Sequence, residues 1–268
     1  SYNRMSQYLH LMSNTAAATP LDVWSPTTNN IKPELADQIA LGYFRNFGKN
    51  LGFEASSEVY YKILQNQIGY VPDANLTLNE YYEGDLLFGN GRAYGIEFLI
   101  KKTTGKFTGW ISYTLAKSEI KIDDINNNDW FPSRYDRTHV GNLILSYAFS
   151  KRYEVSANFV YNTGIPATFS TNSFEVQGYS IPQNPSNSFN NSRVSDYHRL
   201  DLSFTIYGRE KKKKKLSGDW VFSVYNAYNR KNAFTIFLDG NDDNGNPQAI
   251  RYSIIGSIIP SVTYNFKF

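Results

Sequence analysis

The 268 residues include no cysteine, two methionines and three histidines. Without thiols, disulfides and thiolate metal sites are excluded. No window approaches the roughly 20 apolar residues that a membrane helix needs. No basic n-region or apolar h-region opens the chain, and SYNRM reads as the end of a strand running into a loop. We therefore expect the back part of something longer. Net charge is small too: 27 Lys and Arg against 24 Asp and Glu leave +3, which selects no class of partner. Rings are what the chain has in excess. With 21 Tyr and 18 Phe it is 16% aromatic, yet its mean hydropathy is −0.46. A transmembrane barrel reconciles the two, because lipid-facing and lumen-facing residues take turns along each strand.

The ending SVTYNFKF shows that alternation plainly: Val262, Tyr264, Phe266 and Phe268 share one face, and Ser261, Thr263, Asn265 and Lys267 the other. The same period recurs at 53–61, 94–101, 153–161 and 200–207, with related patterns at 37–46, 107–115, 139–149, 220–228 and 252–268. Counting a stub at 1–4, about ten strands are expected and no helical stretch. The register places Phe53, Val59, Ile96, Phe98, Leu202, Phe204, Tyr264 and Phe266 outward, and Glu54, Glu58, Glu97, Asp201 and Asn265 toward the lumen. Tyr43, Tyr61, Tyr94, Tyr147, Tyr153, Tyr161 and Tyr228 cluster near strand ends, where membrane–water boundaries hold aromatics.

The connections sort by length. Stretches 5–35, 67–91, 122–137, 169–197 and 239–248 are loops, and they alternate with turns at 47–51, 103–106, 150–152 and 209–218. Outer-membrane barrels sort them in this way, with short periplasmic turns and longer extracellular loops.

On these residues the chain resembles a family. NIKPELADQIALGYFRNF, EVYYKILQNQI, GRAYGIEFLIKKTTGKFTGWISYTLAKS, FPSRYDRTH, DYHRLDLSFT, FSVYNAYNRKNAF and SVTYNFKF look like the C-terminal half of the β-barrel of a TonB-dependent outer-membrane receptor, Bacteroidetes type, in the family's order. The resemblance implies that 1–268 are about ten C-terminal strands of an antiparallel 22-stranded transmembrane barrel, with the plug domain and first strands not present in this chain. It implies energised import of a scarce nutrient (metal chelate, vitamin, glycan or peptide) across the outer membrane of a Gram-negative cell, and no enzymatic activity. The implied partners are outer-membrane lipid, the TonB complex through the absent N-terminal part, and the barrel-assembly machinery through a signal formed by Tyr264, Phe266 and Phe268. A surface lipoprotein is a further partner that it admits. The alternative is a small self-contained barrel acting as a surface enzyme or adhesin.

Loop aromatics are the candidate ligand-binding residues: Trp24, Tyr81, Tyr82, Trp130, Phe131 and Tyr179, with Phe174 and Phe189 beside them. With Arg134 and Arg137 they fit an anionic, ring-bearing ligand such as a metal chelate. The competing reading is that long loops bury these rings among themselves. Other constellations carry less. His139 near Asp136, and His198 near Asp196 and Asp201, invite a base-and-orienter pair, but no nucleophile signature accompanies them. LDGNDDNGNP and DDINNND lack the Gly and Glu of a calcium loop and are expected to be solvated turns. The run Lys211–Lys215 has no interleaved aromatics and fits a solvated turn or contact with anionic phospholipid heads. No cofactor, metal site or nucleic-acid partner is expected.

Overall fold

The computed structural model describes residues 1–12, 23–48, 52–72, 74, 79–169, 172–176, 179–183, 188–208, 217–241 and 247–267. Ten strands form one antiparallel meander: β1 (Tyr2–Gln7), β2 (Glu34–Phe47), β3 (Phe53–Tyr70), β4 (Leu86–Lys102), β5 (Phe107–Ile122), β6 (His139–Ala148), β7 (Tyr153–Asn162), β8 (Tyr197–Ile206), β9 (Ser217–Tyr225) and β10 (Ile259–Lys267). Every strand expected from alternation is present, in sequence order. Long and short connections fall at opposite ends of the sheet, as expected. The last strand is shorter than expected. It begins at Ile259, because Pro247–Tyr252 turns away to pair with Thr235–Asn241 in a separate hairpin. Among the described residues, helix is confined to two single 3-10 turns, Tyr82–Asp85 and Asn126–Asn128. No helix among the described residues is long and apolar enough to cross a membrane.

Register turns the alternation of single strands into two continuous faces. On one, Leu41 stands opposite Val59, Val59 opposite Ile96, and Ile96 opposite Leu115. Further along the same face, Val155, Phe204, Phe222 and Val262 make a second row across four strands. Leu41 is 80% exposed, so this apolar face has no protein over it. In water such a patch would be an aggregation surface, whereas in a bilayer it is the lipid contact. The other face is polar. Ser146, Ser156, Ser203, Ser223 and Ser261 run across β6 to β10 in one row, with hydroxyls 2.9 Å apart at Ser146–Ser156 and 2.6 Å at Ser223–Ser261. Glu58 lies opposite Glu97 on this face, and Asn265 opposite Asp219. The expected division of side chains between the two faces therefore holds.

Aromatics bound the apolar face at both ends. Near the loops, the Tyr61 and Tyr94 rings stack at 5.9 Å, and Tyr113 stacks on His139. Near the turns, Tyr147 meets Phe149 edge-on at 5.0 Å and Trp220 lies 4.7 Å from Tyr264. Phe53 and Tyr61 stand eight positions apart on β3. That is about 26 Å of strand, or about 20 Å of height at a tilt of 35–45°, close to the apolar band of an outer-membrane barrel.

Candidate ligand cavity between two loop blocks

The residues most deeply buried lie beyond the loop-side aromatics. Two separate clusters form there, each shared by two long connections. In the first block, Met12 and Ile31 from the β1–β2 connection pack with Ala74 and Leu86 from the β3–β4 side. Polar ties join the same segments. The Ser25 and Tyr82 hydroxyls are 2.6 Å apart, and the Glu83 carboxylate accepts from Thr28 Oγ1 at 3.0 Å and Asn30 Nδ2 at 2.6 Å.

The second block joins the β5–β6 and β7–β8 connections around Ile122, Ile125 and Phe131. The Asn126 side chain donates to the Phe189 carbonyl and accepts from the Phe189 amide, both at 2.9 Å. Asn190 Nδ2 donates to the Pro132 carbonyl at 2.8 Å. Below them Asp136, 1% exposed, accepts the Ser118 amide at 2.6 Å and pairs with the Arg193 guanidinium. The asparagine run explains how the backbone turns here. Asp124, Asn126, Asn127, Asn128 and Asn190 all have positive φ, which Asn tolerates better than other side-chain-bearing residues. DDINNND is thus a left-handed turn whose Asn126 amide ties two loops, with Asp124 N–H donating to Asn128 Oδ1.

Between the blocks lies a cavity of about 630 Å³. It runs along β3 where that strand outlasts β2. Glu34, the first residue of β2, is followed by Leu35 opposite Gln65, so among the described residues Gln67–Tyr70 pair with β4 alone. A bulge at Asn66 (φ 57°) shifts the register there, and its side chain is tied to the Pro33 carbonyl. Leu11 and Trp24 line the cavity from the first block; Ile122, Ile125, Phe131 and Phe189 line it from the second. His10 also lines it. That ring is 3% exposed, and among the described residues neither nitrogen has a hydrogen-bond partner. Burial lowers its pKa below the ordinary value, so it is neutral at neutral pH.

Of the candidate residues, Trp24, Phe131 and Arg134 line the cavity, Arg134 with its guanidinium 5.3 Å from the Tyr135 ring centre. Tyr82 serves the first block instead, and Tyr81 stands 83% exposed. Trp130 lies under the Arg92 guanidinium, 4.3 Å from its ring centre, and Arg137 is exposed without lining the cavity. Tyr179 and Phe174 sit in a small hairpin, their own side chains lying outside the described residues, and the Lys211–Lys215 run is outside them altogether. The aliphatic lining was missed because an isoleucine in a polar loop carries no periodicity to read.

The Asp–His reading fails on geometry. His139 Nδ1 is 2.7 Å from the Tyr113 hydroxyl and His198 Nδ1 is 2.7 Å from that of Tyr228. Their acidic neighbours are engaged elsewhere: Asp136 with Arg193, Asp201 with Arg199, and Asp196 with the Tyr161 hydroxyl at 2.6 Å and the Gly164 amide at 2.9 Å.

At the closing end, β10 pairs with β9 only among the described residues. Tyr264 packs on Trp220, and Phe266 is 57% exposed on the apolar face. Phe268 lies outside the described residues.

No protein family's profile matches the chain, and no curated protein does. Solved structures do. The ferric-catecholate import receptor Fiu from E. coli K12 in its closed form is 13% identical, with a TM-score of 0.57 over 99% of this chain and 32% of that one. The ferric citrate transporter FecA, unliganded, is 14% identical, with a TM-score of 0.54 over 88% of this chain and 32% of that one. The ferripyoverdine receptor of the Pseudomonas aeruginosa outer membrane, bound to ferripyoverdine, is 13% identical, with a TM-score of 0.52 over 88% and 28%. The fold is therefore that of an outer-membrane β-barrel, and the chain spans about a third of the length of the structures it matches.

Proposed function

We propose that this chain is the C-terminal part of the barrel of a TonB-dependent receptor, Bacteroidetes type, that imports a scarce nutrient across the outer membrane. The observation that carries the reading is the meander itself: ten strands with one continuous apolar face, all long loops at one end, and a fold shared with a third of three import receptors. In the whole protein a 22-stranded barrel surrounds a plug, and the TonB complex engages the part N-terminal to this chain. The cavity between the loop blocks is where the nutrient first rests, with Trp24, Phe131 and Arg134 in contact; a surface lipoprotein would close over the same loops. The protein is a transporter rather than an enzyme, in keeping with histidines held by tyrosines at the membrane boundary. A self-contained ten-strand barrel would join β1 to β10, and among the described residues each edge strand has one partner, which supports the larger barrel.

Tyr264, Phe266 and Phe268 serve recognition by the barrel-assembly machinery, since an edge strand offers unpaired N–H and C=O groups as a template. Deleting Phe268 is expected to reduce the amount of receptor in the outer membrane while leaving assembled molecules nearly as heat-resistant as before. The import reading is tested by growth of a deletion strain on single iron, vitamin and glycan sources. Loss of growth on one source, restored by the full-length gene and abolished by collapse of the inner-membrane proton gradient, is expected. Uptake that persists without the gradient would refute it.

A further inference from the structure

The chemistry of the cavity narrows what it accepts. Its walls are made chiefly of aliphatic and aromatic side chains: Leu11 and Trp24 on one side; Ile122, Ile125, Phe131 and Phe189 on the other. Its volume, about 630 Å³, lies inside the roughly 300–1,000 Å³ of small-molecule sites. A site for a multiply charged anion needs cations that converge on it, as guanidinium forks do on carboxylates. Here the lining contains one cation, Arg134, and one acid, Glu34. The other arginines at this end do not line the cavity: Arg92 pairs with Glu119, Arg193 with Asp136 and Arg199 with Asp201, Arg230 donates to the Asp196 carbonyl, Arg251 bonds the Ser195 hydroxyl, and Arg137 is exposed. The loop-end stretches outside the described residues (13–22, 73, 75–78, 170–171, 177–178, 184–187 and 242–246) contain no Lys or Arg in sequence, so they bring no further cation. Among the described residues, one buried polar side chain at the cavity has no hydrogen-bond partner. His10 is nine-tenths buried and more, and both its nitrogens lack partners there. A neutral imidazole has one donor and one acceptor, so a hydroxyl or amide edge suits it.

We infer that the cavity takes an uncharged, largely apolar molecule of one or two rings, whose body lies on the accessible lining of Leu11, Trp24 and Phe189 and whose hydroxyl or amide edge reaches His10. This departs from the anionic chelate that Arg134 and Arg137 suggested in sequence, because Arg137 does not line the cavity and Arg134 stands there as a single cation beside Tyr135. The inference rests on the import reading for the fate of the ligand, and on the cavity alone for its chemistry.

Calorimetric titration of the detergent-purified full-length receptor tests it with three probes: 2-naphthalenemethanol, its anionic analogue naphthalene-2-sulfonate, and ferric citrate. The alcohol is expected to saturate a single site and bind at least about tenfold more tightly than either anion, because the cavity wall cannot solvate an unpaired charge. Trp24→Glu should weaken alcohol binding by a similar factor while the barrel keeps its unheated electrophoretic mobility. If Trp24→Glu fails to assemble, Ala167→Phe, which fills the cavity without charging it, should do the same. His10→Phe should erase a preference of about fivefold for the alcohol over 2-methylnaphthalene, the worth of one neutral hydrogen bond. Equal or tighter binding of an anion, no saturable binding of the alcohol, or binding indifferent to the cavity variants would overturn the inference. Saturable alcohol binding without energised uptake supports the cavity assignment and removes the import reading; energised uptake without alcohol binding removes this inference alone.

Discussion

Replacing Asp136 with Ala should free the second loop block while leaving the barrel beneath it intact. Asp136 sits at the foot of that block, where its carboxylate accepts the Ser118 amide at 2.6 Å and holds Arg193, which in turn donates to the Gly164 carbonyl at 2.9 Å. Three segments therefore meet on one side chain that is 1% exposed. Hydrogen bonds to a charged group contribute about 1.5–3 kcal/mol each. The Arg193 side chain is 33% exposed, so it rehydrates when its partner leaves and its share is discounted. The remainder is roughly 2–3 kcal/mol, or about a 30- to 150-fold rise in the open population of the block. Hydrogen exchange read by mass spectrometry on the full-length protein in detergent measures this directly. Protection should fall by that factor at Ser118 and Val194 and stay unchanged along β6 to β8 below. Asp136→Asn should fall between, and Arg193→Ala in the Asp136→Ala background should add little, since both remove one interaction. Unchanged protection at Ser118, or a barrel that melts together with the loop, would show that the block does not depend on this carboxylate.

The reciprocal bond between Asn126 and Phe189 makes a second, independent tie. Asn126→Gly keeps the left-handed backbone but removes the amide, and limited proteolysis within 163–196 should quicken about five- to thirtyfold, the effect of about 1–2 kcal/mol. At the closing end, a Cβ on Gly218 would collide with the Tyr264 ring. Gly218→Val should therefore destabilise the β9–β10 pair by about 1–3 kcal/mol in thermal melts, and Tyr264→Ala should relieve much of it. Asp196 is held below the usual carboxylate range, first by the Tyr161 hydroxyl and then by the Gly164 amide. A depressed folded pKa stabilises the fold above the unfolded pKa and loses that contribution as pH falls through the folded one. Exchange protection at the Gly164 amide should thus decline on acidification, and Asp196→Asn should make it insensitive to pH over that acidic range.

Strands were legible in this sequence because lipid on one side and a polar lumen on the other force a period of two, with no tertiary packing to override it. Val59 and Glu58 announce their faces without reference to any neighbour. The exception, 252–258, lies beyond the loop end of β9, where pairing stops at Tyr225 with Ile259 and Tyr252 pairs with Thr235 instead. The loops obey different physics. There burial comes from contacts between segments far apart in sequence, such as Asn126 with Phe189 or Ser25 with Tyr82, and nothing local marks them. Aromatics drew attention as candidates, and Trp24, Phe131 and Phe189 of the eight named do line the cavity; Ile122 and Ile125 did not draw it, although they line it too. The asparagines of DDINNND were recognisable as turn formers, but the partner of Asn126 was not.

The pairing of loops into two blocks has a bearing on how such barrels diversify. Each block keeps its own buried cluster, and each is assembled from two connections separated by a strand hairpin. Exchanging 123–138 alone would strand Asn126 without Phe189 and leave Arg193 facing no carboxylate. Moved together with 163–196, the same segment brings Phe189 and Arg193 along. The natural unit of recombination is therefore the matched pair, 8–33 with 71–85 and 123–138 with 163–196, and a chimaera cut along those lines would inherit a new loop surface on an unchanged wall of strands.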